Sequence, residues 1–190
     1  MRTILTLTLL TSSAVFAADP AAQVYNSQIN TIEREVLSLA KAMPADKYNF
    51  APTNGSFQGV RTFGVEVRHL STVMYMLSAS LLGEKCPVDI GKALNGSESI
   101  NTKDQIVKYF EDALAYAHKA AGTITEKNLL ENIKSPYGRG TMIRMAAANE
   151  ISYHTYDHYG QMVEYARMNG IIPPASQPRP ARGRGRSKGR

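Results

Sequence analysis

Apolar residues recur at alternating steps of four and three along four stretches of this chain, a spacing that only α-helices packed side by side can satisfy. The first line is Tyr25, Ile29, Ile32, Val36, Leu39, Met43, and the second is Phe63, Val67, Leu70, Met74, Leu77, Leu81. The third is Ile106, Phe110, Ala113, Ala117, Ala120. The fourth is Ala147, Ile151, His154, His158, Gln161, Tyr165, Met168, on a segment from about Gly140 to Asn169. Residues so spaced share one helix face, and each face must be covered. Local signals agree: Asp19-Pro20 opens the first segment and Pro44 ends it, while Gly83 closes the second. Thr102-x-x-Gln105 forms a capping box for the third, which Gly122 ends, and Gly170 with Pro173-Pro174 stops the fourth. The expected fold is therefore all-α, a four-helix bundle. The connections at 46–59 and 85–101 are long enough to cross the bundle, so simple up-and-down order is not required. A short helical turn is expected over 125–133 and a loop over 135–138, and no segment shows sustained strand alternation. At 190 residues and 43% hydrophobic content there is one such domain, assigned to residues 18–174.

The two ends read differently. Residues 1–17, MRTILTLTLLTSSAVFA, pair Arg2 with a short apolar run and place small side chains around a cut after Ala17, the layout of a secretory signal peptide. The run is too short to span a bilayer, which takes roughly 20 residues. The expected location is outside the cytoplasm, periplasmic or extracellular. Residues 175–190 hold no large apolar side chain and are expected to be a disordered Arg/Gly-rich tail. The net charge of +6 belongs largely to these ends. Without Arg2, Arg179, Arg182, Arg184, Arg186, Lys188 and Arg190, 15 basic residues face 16 acidic ones. The tail lacks the aromatic residues that stack on nucleic acid, so no specific nucleic-acid partner is expected, and it reads as a solvated segment with no specific partner or as a contact for an anionic envelope surface. The single cysteine, Cys86, lies beside Pro87 in a loop and has no intrachain disulfide partner.

The chemistry lies in the histidines. His154 and His158 are four apart on an inward line, and two imidazoles there need partners. A divalent ion bound by both satisfies them, and so do hydrogen bonds. His69 lies on the flank line Val65, His69, Val73, Met76 of the second segment, where it is a third ligand or a histidine bonded to a backbone carbonyl. Three imidazoles with an open fourth position make a site of catalytic type. His118 sits one residue off its seam and is expected to be exposed. Among the carboxylates, Glu66 precedes His69 by three and Glu150 precedes His154 by four, while Asp157 points about 100° away from its neighbour His158. Each can orient an imidazole or serve as general base for a water. Glu150 is the best placed, as the catalytic base or as a salt-bridge partner of Arg144 or of another helix. Tyr153, Tyr156, Tyr159 and Tyr165 surround the pair and read as packing residues.

Two blocks together carry a family resemblance. Residues 43–77, MPADKYNFAPTNGSFQGVRTFGVEVRHLSTVMYML, hold His69, and residues 154–174, HTYDHYGQMVEYARMNGIIPP, hold the H-x-x-x-H pair and its stop. In that order and at bundle spacing they resemble the DinB/YfiT-like superfamily over about residues 22–175, and its exported branch in view of residues 1–17. The resemblance implies a four-helix bundle with an unusual crossing order and a divalent metal, zinc or nickel, on His69, His154 and His158. It also implies thiol-dependent transfer, isomerisation or hydrolase chemistry. An exported protein does not meet cytosolic thiols, which favours a metal-dependent hydrolase-type enzyme acting on a small molecule. The alternatives are a non-catalytic metal- or ligand-binding module of the cell envelope, and an envelope protein that works through its tail. An exposed helix face can support a homodimer.

Overall fold

A computed structural model describes residues 19–178. The expected signal peptide and residues 179–190 of the tail lie outside the described residues. Helix α1 covers 20–42. It is α-helical over Pro20–Ile32, passes through a π turn at Glu33–Leu37, and resumes over Ser38–Ala42. Asp19 caps it by accepting the Ala21 N–H at 3.0 Å, and Pro20 takes the first position. Met43 turns extended (φ −65°, ψ 125°) because the proline after it excludes helical geometry. Helix α2 spans Phe63–Leu82, from the Thr62 cap to Gly83 in the left-handed region at φ 70°. Helix α3, Lys103–Ala121, opens on the expected capping box of Thr102 and Gln105. Helix α4 is Arg144–Met168. None of these helices is long and apolar enough to cross a membrane.

Residues 125–131 form turns rather than a helix, and the chain then makes a small antiparallel hairpin, β1 Asn132–Lys134 with β2 Thr141–Ile143. Helix α4 thus starts four residues later than its periodicity suggests. Three-residue strands are too short to show alternation, and only Ile133, opposite Met142, is buried. The hairpin leads directly into α4, since Arg144 N–H and Met145 N–H donate to the Glu131 and Leu129 carbonyls at 2.9 and 3.0 Å.

Helix α2 packs along both α3 and α4, and α1 packs on the other side of the same two helices. The consecutive pairs α1–α2 and α3–α4 therefore stand diagonally. The crossings are made by residues 43–62 and by the hairpin segment 122–143. The long 85–101 connection joins α2 to α3, which are neighbours, so its length serves another purpose. Helix α2 is the central element, with 17 of its 20 residues buried. Phe63, Leu70, Met74 and Leu77 of this helix share one buried core with Phe110, Leu114 and Met162.

The first three seams are buried throughout. The fourth drifts. Its inward stripe is Ala147, Ile151, Thr155, His158, Met162 and Tyr165, whereas Gln161 is exposed and Met168 is 54% exposed. A strict seven-residue repeat slips by about 20° per heptad against a 3.6-residue helix, and three heptads separate Ala147 from Met168.

Candidate metal centre

His69 comes from the first half of α2, and His154 and His158 from the middle of α4. The two helices run antiparallel, with the Arg144 guanidinium at the start of α4 donating to the Leu81 carbonyl at the end of α2 (2.8 Å). That alignment brings His69 opposite the His154–His158 turn. The ring centroids are 5.1 Å apart for His69 and His154, 4.7 Å for His69 and His158, and 4.6 Å for His154 and His158. One ring nitrogen from each lies within 4.8 Å of the others. His69 and His158 are each 6% exposed, while His154 is half-buried and forms the open side.

The opposite nitrogens of the two buried rings are already engaged. His69 Nδ1 lies 3.0 Å from the Leu94 carbonyl. His158 Nδ1 lies 2.7 Å from Glu66 Oε2, a carboxylate one turn from His69 and only 1% exposed. A carbonyl accepts and cannot donate, so the His69 proton belongs on Nδ1 and Nε2 is left with a lone pair. A carboxylate imposes the same tautomer on His158. This is how a protein prepares imidazoles as metal ligands. Burial, then the Arg61 guanidinium and His158, hold the His69 pKa down to about 3. Burial and His158 hold that of His154 down to about 4. Neutral imidazole is the form an ion requires, so these residues fit a divalent cation.

The length of the 85–101 connection is used here. Arg68, itself buried, donates to the carbonyls of Asn95 and Ile100, and Arg61 Nε donates to Asn95 Oδ1 at 2.8 Å. Ala93 and Leu94 sit at φ 53° and 58°, a costly conformation for non-glycine residues, and this turn aims the Leu94 carbonyl at His69. The spacing of side chains cannot reveal a backbone carbonyl from 25 residues away, so Leu94 was not legible as a site residue.

The other candidates are distributed as follows. Glu150 accepts a hydrogen bond from the Tyr137 hydroxyl at 2.6 Å, and burial with that carboxylate pushes the Tyr137 phenol up. Arg144 pairs with Glu131 at 3.8 Å instead of with Glu150. Asp157 is exposed. His118, expected to be exposed, is half-buried. Its Nδ1 lies 2.6 Å from Asn26 Oδ1 and its Nε2 lies 3.4 Å from Glu33, which ties α3 to α1. Tyr156 donates to Glu35 at 3.1 Å and Tyr165 to the Arg61 carbonyl at 3.3 Å, whereas Tyr153 is 60% exposed. Among the described residues no fourth His, Cys, Asp or Glu joins the cluster.

The model of the DinB superfamily matches residues 28–162, which include α2, α3 and the whole histidine cluster. The chain belongs to the DinB superfamily. Its fold is similar to that of a DinB-like protein from Bacillus cereus, with a TM-score of 0.62 at 15% identity, covering 80% of this chain and 95% of that one. It is also similar to the DinB-like protein YjoA from Bacillus subtilis, with a TM-score of 0.56 at 18% identity, covering 82% and 99%. At these identities the likeness extends to the fold alone. No curated protein matches the chain significantly.

Proposed function

We propose that this DinB-superfamily protein is a divalent-metal-dependent enzyme of hydrolase type, with zinc or nickel on His69, His154 and His158. Its substrate is a small molecule, and its setting is extracytoplasmic, as residues 1–17 suggest. The observation that carries the reading is a three-imidazole cluster with orienting partners on two rings and, among the described residues, no fourth protein ligand. Sites closed by four protein ligands are structural, whereas three with a vacancy admit substrate. When bound, the ion supplies Lewis acidity, polarising a carbonyl or phosphoryl group and acidifying water.

The remaining work falls to the protein. Glu66 and the Leu94 carbonyl hold the rings, and the half-buried His154 leaves an approach to the centre. Glu66 is taken up with His158, so Glu150 is assigned as the base, held in place by the Tyr137 hydroxyl. The test begins with metal content of residues 18–190 prepared without a His tag, beside His69→Ala and His154→Ala. About one ion per chain, lost in both variants, supports the site, and a panel of esters, amides and phosphoesters then seeks turnover. Glu150→Gln should retain the ion and lose at least about tenfold in kcat. An ion without turnover on any substrate leaves a binding module, and no ion overturns the reading.

A further inference from the structure

A cavity of about 370 Å³ opens at the C-terminal end of α2, between the loop that follows it and the hairpin, and none of its lining residues belongs to the histidine cluster. Its floor is the face of α2 that carries Met76 and Ala79, and its walls include Ile90 and Pro136. Met76 follows His69 by seven residues, so it lies on the same helix face, about 10 Å farther along. Both walls lead back to the histidines. On the loop side, the Ile90 carbonyl accepts from Gly96 N–H, and the intervening Leu94 carbonyl holds His69. On the hairpin side, Pro136 precedes Tyr137, which holds Glu150 one turn before His154.

The rim is cationic. Lys85 and Lys134 border the cavity, both exposed, and their ammonium groups make no ion pair or hydrogen bond among the described residues. Glu84, the one carboxylate lining the cavity, is occupied by Lys119 Nζ at 2.9 Å and the Tyr116 hydroxyl at 2.7 Å. An apolar floor with two unpartnered cations at its edge complements an amphipathic anion. The volume lies at the small end of the range for ligand sites, about 300–1,000 Å³. We propose that this cavity binds a medium-length amphipathic carboxylate, with the apolar chain over Met76 and Ala79 and the carboxylate between Lys85 and Lys134. Its role as the site for the distal arm of a substrate rests on the enzymatic reading above, while the binding itself does not.

The chain supplies its own reporter. Cys86 is the only cysteine, carries a free thiol, is half-buried and lines the cavity. Decanoate should slow alkylation of Cys86 by N-ethylmaleimide in the metal-free protein, and calorimetry should give one site per chain. Decanol should protect less. The double variant Lys85→Glu/Lys134→Glu, altered only at exposed side chains, should bind decanoate about tenfold more weakly and decanol unchanged. Failure of decanoate to bind or to protect Cys86 overturns the proposal. So does decanoate binding that the charge reversal leaves unaltered. Because the assay uses metal-free protein, His69→Ala should behave as wild type. Loss of the metal reading therefore leaves this result standing, and loss of the cavity leaves the metal reading standing.

Discussion

Glu66→Gln separates a carboxylate that serves a metal from one that merely fills space. The side chain is 1% exposed, and its Oε2 lies 2.7 Å from His158 Nδ1. Glutamine keeps the volume and one acceptor oxygen but removes the negative charge that faces the ring nitrogen. Loss of such an orienting carboxylate typically lowers metal affinity by about 10- to 100-fold, or roughly 1.4–2.7 kcal/mol. The metal-free protein should respond differently. There the carboxylate is a buried charge whose nearest partner is a single imidazole, and burying charge is costly. Neutralising it should leave apo stability within about 1 kcal/mol of wild type, or raise it. Competition against a chromophoric zinc chelator gives the affinity, and urea unfolding with and without zinc gives the two stabilities. The expected pattern is a crossover, with apo protein unharmed and zinc-loaded protein weakened. An unchanged zinc affinity together with a destabilised apo protein would refute the reasoning and make Glu66 a structural residue.

Other expectations follow from the same geometry. The folded pKa values of His69 and His154, about 3 and 4, lie below the ordinary 6.5. Between those limits the unfolded chain binds protons that the folded chain refuses, so metal-free stability should be level above about pH 6.5 and fall as pH drops toward 4. Proton competition for these two rings should likewise begin well below pH 6, which pH-stepped dialysis with metal analysis will show. Gly96→Ala places a Cβ 2.7 Å from Thr72 Oγ1 at φ +70° and should cost about 1–3 kcal/mol in urea unfolding. It should also loosen metal binding by disturbing the neighbouring Leu94. Met162→Ala should cost about 2–5 kcal/mol, whereas Gln161→Ala should stay within about 0.5 kcal/mol. The reverse order would restore the strict seven-residue seam on α4.

The site was partly legible. His154 and His158 share a helix turn, and local geometry alone places them together. His69 was recognisable as a candidate third member of the cluster from its flank line and its family block, although its near-complete burial was not. Glu66 and Glu150 were both visible as candidates. Distinguishing their roles required knowing which carboxylate faces α4 and which meets Tyr137, a residue of the hairpin. The hairpin itself was missed because a single buried Ile133 between two exposed neighbours carries no periodic signal.

The chain's own periodicity determined four helices, their caps and stops, and three of the four inward faces. Each of these depends on residues within a few positions of one another, where bond geometry and side-chain chemistry suffice. Tertiary structure alone decided the diagonal placement of consecutive helices, the few tens of degrees by which α4 turns from its apparent seam, and the pairing of Glu66 with His158. It also decided that the 85–101 connection folds back to present a backbone carbonyl to His69 rather than crossing the bundle. Those outcomes depend on how separate helices register against a shared core, where all the close-packed side chains must fit at once.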